Sequence, residues 1–517
     1  MRKSVLSSNV FNMKNILFLF LLLTTIAEGQ RVTVDSSFGV NGLVRVNKGP
    51  RDQLFGYISA ISGERLKIAG RIIRPGEETI FTSEIDIYSG DTISGSGLNE
   101  VHHKSGFLEG HTFALTSDQG HIVIAVTSNA QEDLFTSIYK LKADNRPDST
   151  FGVNGSINLG DLFNNIYESI TETSQGYVLA GKNLTYDSLK LLRLDKSGKI
   201  DSSFGINGKS TIGLDISPLE SIGQLGVLLL NDAAGDLYLG ASLADEYKSL
   251  ITVFKFSEDG RLNSNFANAG IYSKLYEGYL WGVNFKSDDE SNLYFLYVSQ
   301  DSSRLESTGF LKLDRNGVID SKFKLQGSFL NGGSDTSYRC YDLEIYKNYL
   351  YMVFPTEYKE KVIAYHMFKA TLDGDLEDDH GVYGFYDFTN ELSLTEDYLY
   401  LEILNDSTIF MIGDYYKQSK IDLAVRKFKM QNNYRVKVKS VVYKPFSVYP
   451  SLVKDRIFIP DDVRLDNDRS AYITDAAGNI VLIFNLSSSK SEVDVVRLKP
   501  GSYYIVDQDR VARFIKR

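Results

Sequence analysis

The sequence has very little cysteine or proline. Its 517 residues include a single cysteine, Cys340, so no disulfide can form within the chain. We expect Cys340 to be a small buried apolar residue and not a nucleophile. The nine prolines stand against 42 glycines, 32 tyrosines and 30 phenylalanines. This composition predicts a globular chain rich in strands and not a disordered one.

The sequence also lacks an excess of basic residues and any long apolar run. Its formal net charge is −10, which argues against nucleic acid and against an anionic membrane surface as partners. The longest apolar run is "ILFLFLLLTTIA", ending at Ala27, and it is too short to cross a bilayer as a helix. We therefore expect no transmembrane segment.

That apolar run has the flanks of a processing signal. Arg2, Lys3 and Lys14 precede it, and small residues follow at Ala27 and Gly29. A basic start, an apolar centre and a small-residue cleavage site are typical of a secretory signal peptide. The sequence predicts a signal peptide at residues 1–29, cleavage before Gln30, and a protein that is secreted or on the outer cell surface.

Catalytic motifs are absent from the sequence. It contains no nucleophile elbow, P-loop or HExxH motif, and we assign no catalytic residue and no cofactor. The closest group of histidines is His102, His103 and His111. Adjacent residues of a strand point to opposite faces, so His102 and His103 do not readily share one ion. We predict no metal there.

A repeated loop is the most informative feature of the chain. Clear copies are "VDSSFGVNG" from Val34, "PDSTFGVNG" from Pro147 and "IDSSFGING" from Ile200. Weaker copies begin at Ile93, Leu262, Ile319 and Leu376, where His380 replaces the Phe in the last of them. The Asp-equivalent positions 35, 94, 148, 201, 263, 320 and 377 lie 53 to 62 residues apart. The chain therefore contains seven repeat units.

Each unit reads as four short strands. In the unit from Asp148, the apolar runs are "SINL", "IYESITE", "GYVLAGKNL" and "SLKLLRLDK", and turn residues separate them. Seven four-stranded units predict an all-β fold, a seven-bladed β-propeller over residues 30–434, because a closed ring leaves no sheet face uncovered. An open β-solenoid is the alternative. If each motif lies inside a blade, residues 422–430 should pair with residues 43–47.

The motif residues are explained as architecture. The Asp suits an Asx turn, the glycines allow positive φ, and the Phe can fill the seam between blades. The predicted structural positions are Asp35, Phe38, Gly42, Asp148, Phe151, Gly155, Asp201, Phe204, Gly208, Phe266, Gly270, Asp320, Phe323 and Gly327. The turns at Asp195 and Asp314 space oxygen side chains somewhat like a calcium loop, but neither has the full ligand set.

The pattern G-x-[IL]-D-x-x-F-G-x-x-G resembles the delta-60 repeat of bacterial secreted and surface proteins. The resemblance covers about Val34 to Tyr434. It implies a propeller fold and no common activity.

Residues 435–517 differ in pattern and read as a linker and a small β-sandwich. They resemble the C-terminal sorting domain of the type IX secretion system of Bacteroidetes. The residues that carry this resemblance are Tyr449, Pro450, Gly478, Leu498, Pro500, Gly501 and Tyr503. The sequence has "YPS" where the family usually has "YPNP". The resemblance implies the type IX secretion machinery as a partner. We also expect an exposed basic end at Arg510, Arg513, Lys516 and Arg517.

Three functions fit these observations. The first is a non-enzymatic propeller that binds an extracellular glycan, peptide or protein through loops at one end of the ring. The second is a polysaccharide hydrolase or lyase with carboxylates at the channel mouth. The third is a structural component of adhesion or gliding machinery. Fold analogy alone supports each of them.

Overall fold

The computed structural model describes twenty-four stretches of the chain. They are residues 28–46, 52–74, 77–92, 98–101, 107–128, 134–160, 165–183, 185–219, 224–300, 306–331, 336–338, 340, 342–358, 361–376, 385–387, 396–417, 420–435, 444–445, 452–458, 469–475, 480–486, 492–496, 498–507 and 510–517. All regular secondary structure in these stretches is β-strand. Within them, no helix has the length and apolar character needed to cross a membrane.

The chain divides into two compact units. The larger unit comprises Val32–Glu377 and Tyr383–Met430, and the smaller one comprises Met1–Arg31, Asp378–Val382 and Gln431–Arg517.

The larger unit is built from small antiparallel sheets that follow one another along the chain. Two strands precede them, β1 (Glu28–Val34) and β2 (Leu43–Val46). Sheet A consists of β3 (Gln53–Ser62), β4 (Arg65–Arg74), β5 (Glu77–Asp86) and β6 (Asn99–Val101). Sheet B consists of β7 (Phe107–Leu115), β8 (His121–Ser128), β9 (Leu134–Leu141) and β10 (Ser156–Gly160). Sheet C consists of β11 (Asn165–Thr173), β12 (Gly176–Asn183), β13 (Ser188–Leu194) and β14 (Lys209–Gly213).

The remaining sheets continue the pattern. Sheet D consists of β15 (Gln224–Asn231), β16 (Leu237–Ala244), β17 (Lys248–Phe256) and β18 (Ile271–Glu277). Sheet E consists of β19 (Tyr279–Ser287), β20 (Leu293–Gln300), β21 (Glu306–Leu313) and β22 (Gly327–Asn331). Sheet F consists of β23 (Thr336–Tyr338), β24 (Asp342–Tyr346), β25 (Tyr349–Tyr358), β26 (Lys361–Thr371) and β27 (Phe385–Asp387). Sheet G consists of β28 (Glu396–Asn405), β29 (Thr408–Lys417) and β30 (Lys420–Arg435), with β1 and β2 both paired to β30.

Sheet G joins the two ends of the larger unit. Leu43 to Val46 pair antiparallel with Arg426 to Leu423, which confirms the pairing expected if the motif lies inside a sheet. One parallel residue pair, Gln53 with Ile421, links sheet A to sheet G. The β-strand nearest the N-terminus of this unit is therefore hydrogen-bonded to its last β-strand.

The structure shows where the motif lies relative to the sheets, which the sequence leaves open. The run "SINL" was assigned to the unit that begins at Asp148, but Ser156–Gly160 pairs with β9 as the last strand of sheet B. The same shift applies to β14, which pairs with β13. The motif is a turn between the third and fourth strands of one sheet, so the strand after it completes the preceding sheet.

Successive sheets contact one another through one strand each. β3, β7, β11, β15, β19, β24 and β28 each contact the next in this order, and β28 contacts β3. Apolar side chains of neighbouring sheets share common clusters. One of these contains Val178 and Leu191 from sheet C with Leu239 and Phe254 from sheet D. Short four-stranded sheets packed face to face in succession are the construction of a β-propeller.

The smaller unit contains two further sheets. Its strands are β31 (Lys444–Pro445), β32 (Leu452–Val453), β33 (Arg456–Phe458), β34 (Arg469–Asp475), β35 (Ile480–Leu486), β36 (Glu492–Asp494), β37 (Gly501–Asp507) and β38 (Arg510–Lys516). β33 and β36 form one sheet, and the other six strands form the second. One apolar cluster takes Ile457 and Val493 from the first sheet and Ile473, Ile505 and Phe514 from the second.

The predicted burial of β37 and the predicted exposure of the basic end are partly confirmed. Tyr503 and Ile505 are buried, and Leu498 is partly buried against the same cluster. Lys516 is not exposed as predicted: it is 7% exposed. It lies on the same strand face as Phe514, because successive side chains alternate, and its Nζ donates to the carbonyl of Arg517 at 3.1 Å. Pro500 is exposed and Gly501 begins β37. Tyr449, Pro450 and Gly478 lie outside the described residues.

Candidate functional site

The Asp of each well-formed motif holds a turn. Asp201 Oδ1 accepts hydrogen bonds from N and Oγ of Ser203 at 3.0 and 2.7 Å. Its Oδ2 accepts from Nε of Arg193, on the preceding strand, at 2.8 Å. These bonds keep the pKa of Asp201 below its usual value, and the hydrogen bond from the Ser203 hydroxyl is the largest cause. Equivalent Asx contacts join Asp35 to Ser37, Asp148 to Thr150, and Asp320 to Lys322.

The last glycine of the motif closes the turn with a left-handed backbone. The φ angles are 81° at Gly42, 84° at Gly155, 88° at Gly208, 94° at Gly270 and 90° at Gly327. Such angles are costly for a residue with a Cβ. At Gly208 an added Cβ would lie 2.2 Å from a side-chain carbon of Ile200, so the turn cannot accept a larger residue without shifting.

The repeated Phe lies where two sheets meet. Phe38, Phe151, Phe204, Phe266 and Phe323 are each at most 3% exposed, as predicted. Phe204 of sheet C faces Gly260 in a turn of sheet D, where an added Cβ would lie 2.7 Å from its ring. Phe151, Phe266 and Phe323 meet Gly198, Gly317 and Gly374 in the same way. These four receiving glycines are not among the predicted structural positions, although they stand three residues before the Asp-equivalent positions 201, 263, 320 and 377.

A backbone hydrogen bond accompanies each of these contacts. The residue after the Phe donates its N–H to a carbonyl in the turn of the next sheet. The five bonds are Gly39 to Ser89 at 2.8 Å, Gly152 to Ser197 at 2.8 Å, Gly205 to Asp259 at 2.6 Å, Ala267 to Asn316 at 2.7 Å and Lys324 to Asp373 at 3.0 Å. The motif therefore joins adjacent sheets.

Between sheets A and B, the motif positions for Phe and for the receiving glycine carry other residues. The position equivalent to Phe is Gly97, outside the described residues. The receiving position carries Asn145 in place of glycine, and its Oδ1 accepts from Thr82 Oγ1 of sheet A at 3.3 Å. His121 is buried nearby, and burial, reinforced by Lys67, lowers its pKa to about 3. His121 is therefore a neutral core residue. His102, His103 and His380 lie outside the described residues, and the side chain of His111 is not described.

The two turns that resemble calcium loops use their carboxylates on the backbone. Asp314 Oδ1 accepts from N of Asn316 and N of Val318, both at 2.9 Å. Asp195 Oδ1 accepts from N of Ser197 at 2.8 Å and N of Lys199 at 3.0 Å. These are the contacts of a tight turn that needs no ion.

We therefore expect a calcium chelator to leave the melting temperature of the protein unchanged. The turn at Asp314 to Asp320 offers too few free oxygen atoms for a six- to eight-coordinate site. Thermal melts with and without chelator check this, with added Mg²⁺ as the control for ionic strength. A fall of several degrees on chelation, reversed by Ca²⁺, would show the prediction to be wrong.

A polar cleft opens between sheets E and F. Its volume is about 550 Å³, and its lining comes from the β19–β20 turn, the β24–β25 turn, and residues after β26. Asp289, Glu290 and Asn348 are exposed there, and Asp373 is 84% exposed. The two lysines of the cleft are already paired, Lys312 with Asp320 at 3.0 Å and Lys347 with Asp406. Asp288, within the acidic run "SDDESN", is buried.

Asp288 holds the β19–β20 turn, which lines this cleft. Its Oδ1 accepts from N of Glu290 at 3.0 Å and N of Asn292 at 2.9 Å. Its Oδ2 accepts from the hydroxyl of Tyr294 at 3.0 Å. The turn is fixed by these bonds, so Asp289 and Glu290 are presented outward on a rigid support.

A charged cluster lies on β19, β24 and β28, which belong to sheets E, F and G. Lys286 Nζ lies 2.6 Å from Glu344 Oε1, and Asn284 Nδ2 donates to Asp342 Oδ1 at 2.6 Å. Asp342 Oδ2 accepts from the N of Leu401 at 2.8 Å. Glu402 Oε1 accepts from Ser59 Oγ of sheet A at 2.8 Å. The cluster combines three carboxyl groups with one ammonium group.

The surroundings of this cluster favour protonated carboxyls. Burial, and next the charge of Glu344, raise the pKa of Asp342 to about 7 and that of Glu402 to about 8. Burial opposes the charge of Lys286, but Glu344 and Asp342 outweigh it, so its pKa is raised. A carboxyl that keeps its proton near neutral pH can act as a hydrogen-bond donor or a general acid.

Cys340 lies next to this cluster and is structural. It is fully buried, and its Sγ contacts the carbonyl oxygens of Asp342 and Val353 at 3.3 and 3.4 Å. Burial raises the pKa of its thiol. The prediction of a small buried residue is confirmed.

Comparison with known proteins gives structural likeness alone. No family model matches the chain, and no curated protein matches it. The β-propeller domain of the Trilobed protease from Pyrococcus furiosus is 8% identical, with 76% of this chain and 100% of that chain covered and a TM-score of 0.40. A polysaccharide lyase, an ulvan lyase, is 7% identical, with 78% and 96% covered and a TM-score of 0.41. Oligopeptidase B from Leishmania major is 9% identical, with 90% and 54% covered and a TM-score of 0.39.

Proposed function

We propose that this chain is a secreted, seven-bladed β-propeller that binds a polar extracellular ligand, a glycan or a peptide, in the cleft between sheets E and F. Sheets A to G are the seven blades, and the pairing of β2 with β30 closes the ring. The cleft carries the proposal, because it gathers exposed carboxylate and amide groups on fixed turns. Such groups bind hydroxyl and amide groups of a ligand and give it an orientation.

The test is a binding panel of extracellular glycans and peptides. Asp373→Asn removes a cleft carboxylate of sheet F, and Asp259→Asn removes the carboxylate at the equivalent position of the corresponding turn in sheet D. We expect a ligand of the native protein to lose at least about tenfold in affinity with Asp373→Asn, the value of one charge-assisted hydrogen bond, and nothing with Asp259→Asn. Equal loss from both variants, or binding unaffected by either, contradicts the cleft as the site.

A second candidate is an enzyme that cleaves a polysaccharide at the charged cluster of Lys286, Asp342, Glu344 and Glu402. The raised pKa of Glu402 and the ion pair of Glu344 with Lys286 favour it, because acid–base hydrolysis needs one protonated and one ionised carboxyl. The protein is an enzyme if the native chain cleaves one of these glycans and Glu402→Gln abolishes cleavage while it still binds that glycan. Binding without turnover identifies the binding protein.

We also infer that the smaller unit is a β-sandwich sorting domain and that export uses the signal peptide and the type IX machinery. The apolar cluster shared by its two sheets supports a sandwich. The elements Leu498, Pro500, Gly501 and Tyr503 support the sorting role through their resemblance to that family. Tyr503 also fixes the turn before β37, since its hydroxyl donates to the carbonyl of Lys499 at 2.8 Å.

A further inference from the structure

A histidine is buried in the contact between sheets A and B. His121 is 1% exposed and begins β8, where it shares a strand face with Val123 and Ala125. These two residues belong to the apolar cluster that contains Ile80 of sheet A. The ring of Phe113, on β7, lies 5.3 Å from the imidazole ring, centroid to centroid. His121 therefore faces sheet A.

Other sheets carry an aromatic or aliphatic residue at this position. His121 is the residue of β8 that pairs with the last residue of β9. In sheet C the equivalent residue is Tyr177, whose ring lies edge-on to Phe151 at 5.9 Å. In sheets D and E the equivalent residues are Leu237 and Leu293. A group that can take up a proton in mild acid thus replaces groups that cannot.

Polar side chains link sheets A and B beside this histidine. Thr82 Oγ1 donates to Asn145 Oδ1 at 3.3 Å, and Asn99 Nδ2 donates to the carbonyl of Asn145 at 3.1 Å. Nζ of Lys67, on β4, donates to the carbonyl of Gln119 in the β7–β8 turn. Lys67 is 3% exposed. Sheet A therefore presents a buried ammonium group to sheet B.

The closed contact opposes a proton on His121. Neither ring nitrogen makes a hydrogen bond of normal geometry with any residue that the structure describes. Burial, and next the charge of Lys67, lower the pKa of His121 to about 3. Lys140 of sheet B lowers it further, whereas Asn145 and Asp118 favour the charged form without outweighing the other causes.

The other charged groups around His121 are paired within their own sheets. Lys67 Nζ lies 3.2 Å from Glu84 Oε1 in sheet A. Lys140 Nζ lies 2.6 Å from Asp118 Oδ2 in sheet B. A proton on His121 would therefore add a positive charge on sheet B that acts against Lys67 across the contact.

Acid favours separation of the two sheets at this point. When the contact opens, water reaches the imidazole ring and its pKa returns to about 6.5. Between pH values of about 3 and 6.5 the open form takes up a proton that the closed form does not, so falling pH favours opening. The cluster of sheets E, F and G responds in the opposite direction. Burial raises the pKa values of Asp342 and Glu402, so protonation there accompanies the closed form.

We propose that the contact between sheets A and B is an acid-sensitive joint, in which protonation of His121 separates these two sheets before the other described sheet contacts open. The joint is independent of the proposed ligand, because the lining of the cleft comes from sheets E and F. It requires no step of the proposed export.

Labelling of a buried thiol measures how often a contact opens. Val123→Cys places a thiol between sheets A and B, and cysteine is itself a small apolar residue. Val178→Cys is the matched control, because Val178 is on the second strand of sheet C and packs in the cluster shared with sheet D. Both valines are at most 1% exposed. Peptide mass spectrometry distinguishes each thiol from that of Cys340, which is buried.

The measured quantity is the ratio of the two labelling rates in the full chain. A disulfide reagent that reacts in acid is used at each pH, and the ratio cancels the effect of pH on the thiol itself. We expect the Val123→Cys to Val178→Cys ratio to rise about fiftyfold from about pH 6.5 to about pH 4.5, because opening takes up one proton.

Two variants test whether His121 is the group that responds. His121→Leu introduces the residue that sheets D and E have at this position, and the ratio should then change by less than about threefold over the same pH range. His121→Gln is polar but remains uncharged, and the same result is expected if the leucine variant does not fold.

Three outcomes would overturn the joint. The first is a ratio that does not change with pH in the chain with native His121. The second is an equal rise in labelling at both cysteines, which would be acid unfolding of the whole unit. The third is a rise that persists in the His121 variants, which would assign the opening to other groups. Each of them leaves the cleft untouched as a binding site, since Asp373→Asn tests that site separately.

Discussion

Replacing Phe204 with alanine is expected to lower the free energy of unfolding by about 3–5 kcal/mol. The ring is 1% exposed, lies against Gly260 of the next sheet, and has the guanidinium carbon of Arg193 4.9 Å from its centroid. Its removal leaves a cavity between two sheets that are also joined by the Gly205 to Asp259 hydrogen bond. Chemical denaturation with the midpoint and slope fitted separately measures the effect.

The matched control lies two residues along the same motif. Ile206 is 80% exposed, so Ile206→Ala should change stability by no more than about 0.5 kcal/mol. Gly260→Ala should be destabilising from the opposite side of the same contact, because an added Cβ would lie 2.7 Å from the Phe204 ring at a φ of 81°. If Phe204→Ala and Ile206→Ala have equal effects, the Phe does not hold the two sheets together.

Deleting Gly501 to Arg517 is expected to abolish export of a reporter. Fused behind a signal peptide to Lys444 through Arg517, the reporter should reach the cell surface or medium in a strain with a working type IX system. The deletion removes β37 and β38, which carry Tyr503, Ile505 and Phe514 of the shared apolar cluster. Without them the two sheets of the unit lose four of the nine buried residues of their common core, and the reporter should remain periplasmic.

A point variant keeps this test independent of general unfolding. Tyr503→Phe retains the packing against Phe514, whose ring centroid lies 5.5 Å away, and removes only the hydrogen bond to Lys499. Export of this variant should stay near the native level, while export of the deletion falls to background. Equal export of the deleted and intact reporters would make the smaller unit an ordinary β module.

The sequence was sufficient for the repeat but not for its phase. The Asp, Phe and Gly positions recur because each performs the same local task in a turn, so the Asx contacts of Asp201 and the positive φ of Gly208 could be predicted. Local patterns do not show which of two neighbouring sheets receives the strand after the turn. That choice depends on long-range pairing, such as that of Ser156 with Tyr139.

The contact of Asn145 with the neighbouring sheet could not be predicted from its own repeat unit. Asn145 occupies a position where four other units have glycine, and the preceding unit has Gly97 where five others have phenylalanine. The two positions are 48 residues apart in sequence, and the structure shows that Asn145 binds Thr82 of the neighbouring sheet. A comparison of each unit with the one before it shows both changes but not this contact.

The candidate site could not be predicted because its parts come from separate segments. Asp289, Asn348 and Asp373 belong to turns of two sheets, and each turn taken alone looks like a solvated loop. The burial of Asp288 depends on Tyr294 and the next sheet, whose Leu372 carbonyl accepts from the same tyrosine hydroxyl at 3.2 Å. The cluster of Lys286, Glu344 and Glu402 likewise requires three strands to meet.

An experimental density map of the mature chain would show directly whether the sheets form one closed ring. We expect one ring of seven sheets, with Leu43 to Val46 hydrogen-bonded to residues 423–426 as the outer strand of the last sheet. It also predicts the five buried motif phenylalanines at five seams of that ring. A ring of six or eight sheets, or an open superhelix in which residues 43–46 are not paired with residues 423–426, would contradict it.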